Sequence, residues 1–113
     1  MTKIKIKYRN IFTGLPSARK REAFTCLHTG KGFKVERIVS CGQVTPGGQW
    51  LCSKRAEWVI VLRGRARLFF KGVRGKLDMK AGGHVFIPAK TCHRVDWTSS
   101  RKKTIWLTVH DKK

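Results

Sequence analysis

The sequence predicts an all-β sandwich or closed barrel, and three observations carry that reading. Apolar residues gather in roughly nine short runs, several of them strictly alternating with polar residues. Glycine-, proline- and polar-rich turns separate these runs about every 6 to 12 residues. No segment shows the 3.6-residue apolar period of a long helix. An OB-like barrel is the other small β-fold that suits a basic chain of this size.

In chain order, Lys3-Ile-Lys-Ile-Lys-Tyr8 has period two and reads as an edge strand whose outward lysines discourage edge pairing. Asn10 to Pro16 breaks it, and Ser17 is placed to cap one short helical turn through Glu22. Ala23–His28 and Phe33–Val39 form a predicted hairpin around Thr29-Gly-Lys-Gly32. Cys41 to Gly48 is loop and strand-end material, its Pro-Gly-Gly turn preceding Gln49-Trp50. Glu57–Leu62 and Arg65–Lys71, rich in Val, Ile and Phe, are the clearest strands. Lys76–Met79, His84–Ile87, His93–Thr98 and Thr104–His110 follow, divided by glycine turns and the basic loop Ser99–Lys103.

Parity sets the faces of the central pair. With Glu57 pointing inward, Val59 and Val61 do too, and Trp58, Ile60 and Leu62 point away. Both sets are apolar, so this strand is expected to be covered on both faces, by a second sheet or by a partner subunit. Strict alternation past Gly64 would bury Arg65 and Arg67. A glycine bulge that adds one residue instead turns Ala66, Leu68 and Phe70 inward and the arginines outward.

Composition bounds the partners. The 113 residues read as a single domain spanning residues 1–113, with 41% hydrophobic residues, six Phe and four Trp to build a core. No apolar run approaches the roughly 18–20 residues of a membrane span, and the N-terminus lacks the apolar stretch of a signal peptide. No membrane association and a cytoplasmic location are therefore expected, with all four cysteines reduced. Their spacing holds no Cys-x-x-Cys pair, which argues against a structural zinc site. Twenty-six Lys and Arg against six Asp and Glu give a net charge of +20, a field that attracts polyanions, nucleic acid first. The charge is dispersed, however, and selection for solubility leaves the same pattern. Nucleotide-cradling loops, the Gly-x-Ser-x-Gly elbow and the aromatic RRM signature are all missing.

Two spaced motifs now bear on family. Glu57-x6-Gly64, then Gly82-x5-Pro88 with His93 five residues on, resemble the two conserved motifs of the small single-domain cupins of the conserved-barrel type. Glu36-Arg-Ile-Val-Ser40, Ile87-Pro-Ala, His93 to Thr98 and Ile105 to His110 have the look of one subgroup, so the resemblance covers most of the chain. It implies a double-stranded β-helix barrel of jelly-roll type with little helix, often a homodimer. It also implies an interior divalent metal, held by two histidines and a glutamate of the first motif and a histidine of the second.

Residue by residue, only Glu57 and His93 match that ligand set. The His-x-His positions hold Leu51 and Ser53 or, with one residue more of spacing, Trp50 and Cys52. A cavity containing Glu57 and His93 is expected, with Trp50 and Cys52 beside them. Any metal (Zn, Fe, Mn or Ni) would rest on Glu57 and His93, with Cys52 as a third donor if its strand is shifted. A buried carboxyl beside an imidazole can also act as a general base once tuned. His28, His84 and His110 are expected to be packed or exposed. The leading expectation is a barrel that binds a small molecule. A metal-dependent isomerase or oxygenase on a small polar substrate is the first alternative, and a basic nucleic-acid-binding module the second.

Overall fold

The period-two segments pair into two antiparallel sheets. The computed structural model describes residues 3–112, and among them it has nine strands and no helix. These are β1 (Ala23–Thr29), β2 (Phe33–Ser40), β3 (Leu51–Cys52), β4 (Glu57–Arg63), β5 (Arg65–Phe70), β6 (Leu77–Lys80), β7 (His84–Ile87), β8 (Cys92–Thr98) and β9 (Thr104–Asp111). One sheet has the order β1-β2-β9-β4-β7 and the other β3-β8-β5-β6. Their inner faces meet over Val59, Val61, Ala66, Leu68, Met79, Ile87 and Trp106. Full burial of side chains of this size contributes roughly 1.5–3 kcal/mol each. The all-β jelly-roll barrel is the fold the sequence predicts.

The bulge near Gly64 forms as expected. Pairing of β4 with β9 shifts register between Val61 and Arg63, and Gly64 turns the chain from the first sheet to the second at φ 92°. After it Ala66 and Leu68 are buried, while Arg65 is exposed and Arg67 pairs with Asp78 at 2.6 Å. A Cβ on Gly64 would lie 2.6 Å from the Thr104 Cα, so the strand crossing tolerates only glycine.

Two local expectations fail, and one strand is unforeseen. Residues 3–8 join neither sheet, and Ile4, Ile6 and Tyr8 are 85%, 89% and 89% exposed. Alternation makes a two-faced ribbon but does not choose a partner, and the segment pairs with none of the edge strands β1, β7, β3 and β6. Ser17 caps no helical turn. The backbone bends there, with Ala18 at φ 54° and its carbonyl taken by Gln43 Nε2 at 2.6 Å, and so short a helix has an unfavourable nucleus. The two-residue strand β3, conversely, is too short for periodicity to reveal.

The outer face of β4 is apolar as expected. Trp58, Ile60 and Leu62 are half-buried. Part of the same sheet is roofed by residues 10–16, because the buried Arg37 guanidinium donates to the Ile11 and Thr13 carbonyls at 3.0 and 3.2 Å.

Candidate functional site

Between the sheets lies a cavity of about 460 Å³. The five-stranded sheet contributes Phe24, Ile38, Glu57, Val59, Ile87, Trp106 and Thr108 to its wall, and the facing sheet contributes Leu51, Leu68, His93 and Val95. The lining is mostly apolar and, among the described residues, holds no Lys or Arg.

Glu57 opens β4 on its inner face, opposite His110 of β9 and Ile87 of β7. Burial holds its carboxyl above the usual carboxylate range; His110 pulls the other way, and the Glu36 carboxylate adds to the rise. His110 Nε2 lies 3.8 Å from Glu36 Oε1, and Lys34 Nζ lies 3.5 Å from Glu36 Oε2. A smaller recess of about 240 Å³ beside the cavity is lined by Ser53, Arg55, Glu57 and His110. Glu57 and Ser53 thus line both spaces.

His93 enters from the other sheet, opposite Leu51 and Phe70, with its ring 5.7 Å from the Phe70 ring. Burial lowers its pKa, against a smaller upward pull from the Thr91 backbone, so the imidazole is neutral at pH 7. Its Nδ1 is buried, and no atom meets hydrogen-bond geometry with it among the described residues. With essentially no accessible surface, this nitrogen faces packed protein rather than the open cavity.

The structure brings Glu57, His93 and Cys52 to one cavity but leaves Trp50 out. Trp50 sits on the outside of the four-stranded sheet, 5.6 Å from the Phe69 ring. Cys52 is not the reduced thiol expected from the sequence. It is bonded to Cys92, its in-register partner across β3 and β8, at a Cα–Cα distance of 4.3 Å. Cys26 and Cys41 are free. The expectation of four thiols rested on compartment and spacing, whereas strand register, invisible across 40 residues, decides the pairing.

The donor set does not fit a cupin metal. Leu51 faces His93 across the ladder and Ser53 lines the cavity, so the two histidine positions carry an alkyl group and a hydroxyl. Cys52, as half of a disulfide, has no thiolate to offer. No three His, Cys, Asp or Glu side chains come together as a metal-holding group among the described residues. Sequence reasoning missed Glu36 and His110, which shape the Glu57 environment, and Trp106. Only the pairing of β9 with both β2 and β4 brings Glu36 and His110 near Glu57 and sets Trp106, opposite Val61, in the cavity wall.

The two sheets thus form a jelly-roll barrel around a mostly apolar cavity that Glu57 and His93 both line. The chain belongs to the cupin family. It is 38% identical to a Ralstonia eutropha JMP134 protein provisionally named a mannose-6-phosphate isomerase, over 96% of this chain and 100% of that one, with a TM-score of 0.90. A cupin superfamily protein of Desulfitobacterium hafniense DCB-2 superposes with a TM-score of 0.66 at 14% identity, covering 94% of this chain and 96% of its own. KdgF of a Halomonas species does so with a TM-score of 0.68 at 12% identity, covering 81% and 79%. No family model and no curated protein sequence matches the chain. No helix among the described residues is long and apolar enough to cross a membrane.

Proposed function

We propose that this barrel binds a small, largely apolar, uncharged molecule with an oxygen acceptor, held between Glu57 and His93. The observation that carries the reading is the placement of Glu57 and His93 on the wall of one mostly apolar cavity between the sheets. Glu57, with its raised pKa, donates to the ligand oxygen when protonated, and neutral His93 supplies the second hydrogen bond. Sugar-phosphate isomerisation, the activity in the Ralstonia protein's name, fits this cavity less well. A phosphate dianion wants cationic partners, and the cavity lining has none.

Thermal-shift titration with short lactones and ketones, and with mannose 6-phosphate, tests this. The neutral ligands should raise the melting temperature, and the sugar phosphate should not. Binding should weaken as pH rises through the elevated pKa of Glu57, since the donor proton is lost there. Glu57→Gln, a donor at every pH, should bind within a few-fold of wild type and show no such dependence. Greater stabilisation by mannose 6-phosphate would overturn the reading. Elemental analysis after reconstitution with Zn, Fe, Mn or Ni should find well under one equivalent, because two ligands fall short of the three or four such ions take.

The exposed arm supports a homodimer. Ile4, Ile6 and Tyr8 form one apolar edge of an extended segment that its own chain leaves uncovered, and Trp58, Ile60 and Phe86 lie on the outer face of the five-stranded sheet. We infer that the arm of each copy packs on the other. Light scattering should report a dimer for wild type and a monomer for the Ile4→Asp, Ile6→Asp double variant. A wild-type monomer across the micromolar range would refute the exchange.

A further inference from the structure

We propose that the outer face of the four-stranded sheet binds single-stranded nucleic acid, independently of the cavity. The register fixes what this face displays. Leu68 pairs with Val95 and Ala66 with Thr98 on the inner side, which sends Arg67, Phe69, Arg94 and Trp97 outward. Trp50 joins them from the strand edge, 5.6 Å from Phe69. Trp97 is 41% exposed, unusual for a side chain of that size without a partner. Trp50, Phe69 and Trp97 therefore present rings across one sheet face.

Cations stand over each ring. Lys71 Nζ lies 5.8 Å from the Trp50 centroid, Lys76 Nζ 5.7 Å from Phe69, and the Arg67 guanidinium 5.9 Å from Trp97. These distances are near the outer limit of cation–π attraction, so a base can take the ring. Lys71, with no carboxylate partner among the described residues, can swing to a phosphate, whereas Arg67 and Lys76 are held by Asp78 and Asp96 at 2.6 and 2.8 Å. Asp78 and Asp96 are the acidic groups on this face, and Arg67, Lys76 and Arg94 already pair with them. Arg65, Lys71 and Lys80 carry further positive charge on or beside the face, in a chain of net charge +20. Arg94 also donates to the Thr45 carbonyl at 2.7 Å and, at 3.4 Å, to those of Pro46 and Gln49, which anchors the loop that carries Trp50. The platform is built rather than incidental.

Exposed rings flanked by cations match a strand of bases and phosphates. A duplex, whose bases are already stacked, offers nothing to the rings. A protein partner would have to be strongly acidic to suit the charge and would leave the rings without a distinct role.

Fluorescence anisotropy with a labelled oligothymidylate, the matching duplex and heparin as a base-free polyanion distinguishes these. The single strand should bind more tightly than the duplex and quench tryptophan fluorescence. Trp97→Ala and Phe69→Ala should each weaken it roughly five-fold or more, with the salt dependence unchanged, and Trp97→Phe should restore most of the loss. Lys71→Gln should lower the slope of log affinity against log salt by about one phosphate contact. Glu57→Gln should bind the oligonucleotide as wild type does. Equal affinity for duplex or heparin, or alanine variants that bind like wild type, would overturn the proposal and leave only a basic surface.

Discussion

Reduction of the Cys52–Cys92 bridge is expected to destabilise the barrel by about 4 kcal/mol, the chain-entropy value for a loop of about 40 residues. Domains of this size are typically stable by only about 5–15 kcal/mol, so the bridge is a large share of the total. Its local effect should also be large. Strand β3 has two residues in the ladder, and beyond the bridge little ties it to β8. Leu51 and Ser53 would loosen from the cavity wall, and the strand carrying His93 would lose its covalent neighbour. The melting temperature should fall by more than ~10 °C in excess dithiothreitol, and equally in a Cys52→Ala, Cys92→Ala double variant. Alkylation of the unfolded chain should count two thiols before reduction, Cys26 and Cys41, and four after it. An unchanged melting temperature with four thiols labelled at the outset would show that the bridge does not form.

The bridge also marks where sequence reading stops. Alternation within Glu57–Leu62 and the charge pattern after Gly64 foretell strand, face and bulge, because each depends on residues a few positions apart. Glu57 and His93 stand out through the two spaced motifs that carry the family resemblance. Cys52 and Cys92 are 40 residues apart, and their pairing depends on the register between β3 and β8, which no local pattern encodes. His110 and Glu36 reach Glu57 only through the β2-β9-β4 order. Trp50 fails in the opposite sense. Motif spacing allowed it an inward position, but with Leu51 turned toward His93, its neighbour must face out. The arm at residues 3–8 shows the same limit from another side, since period two specifies a ribbon without naming the edge it joins.

Trp106→Ala is expected to cost about 3–5 kcal/mol, and set beside a core-only substitution it separates the core from the cavity. Trp106 is 4% exposed and belongs to the central core, yet one side of it lines the cavity. Its indole N–H donates to Ser40 Oγ at 3.1 Å, and the Ser40 hydroxyl donates to Glu22 Oε2 at 2.8 Å. Trp106→Phe keeps most of the apolar volume and leaves Ser40 its bond to Glu22, so it should cost only about 1–2 kcal/mol. Val61→Ala makes the comparison decisive. Val61 is fully buried in the same core but does not line the cavity, and its truncation should cost about 2 kcal/mol. If the cavity is the binding site, Trp106→Ala should shift preference toward bulkier ligands, because the lost indole enlarges the space beside Ile38 and Thr108. Val61→Ala should lower stability and leave ligand preference where it was. Urea unfolding measures the first quantity and thermal-shift titration with a graded ligand series the second. If both variants alter preference alike, the effect would come from a loosened core, and Trp106 would have no separate part in recognition.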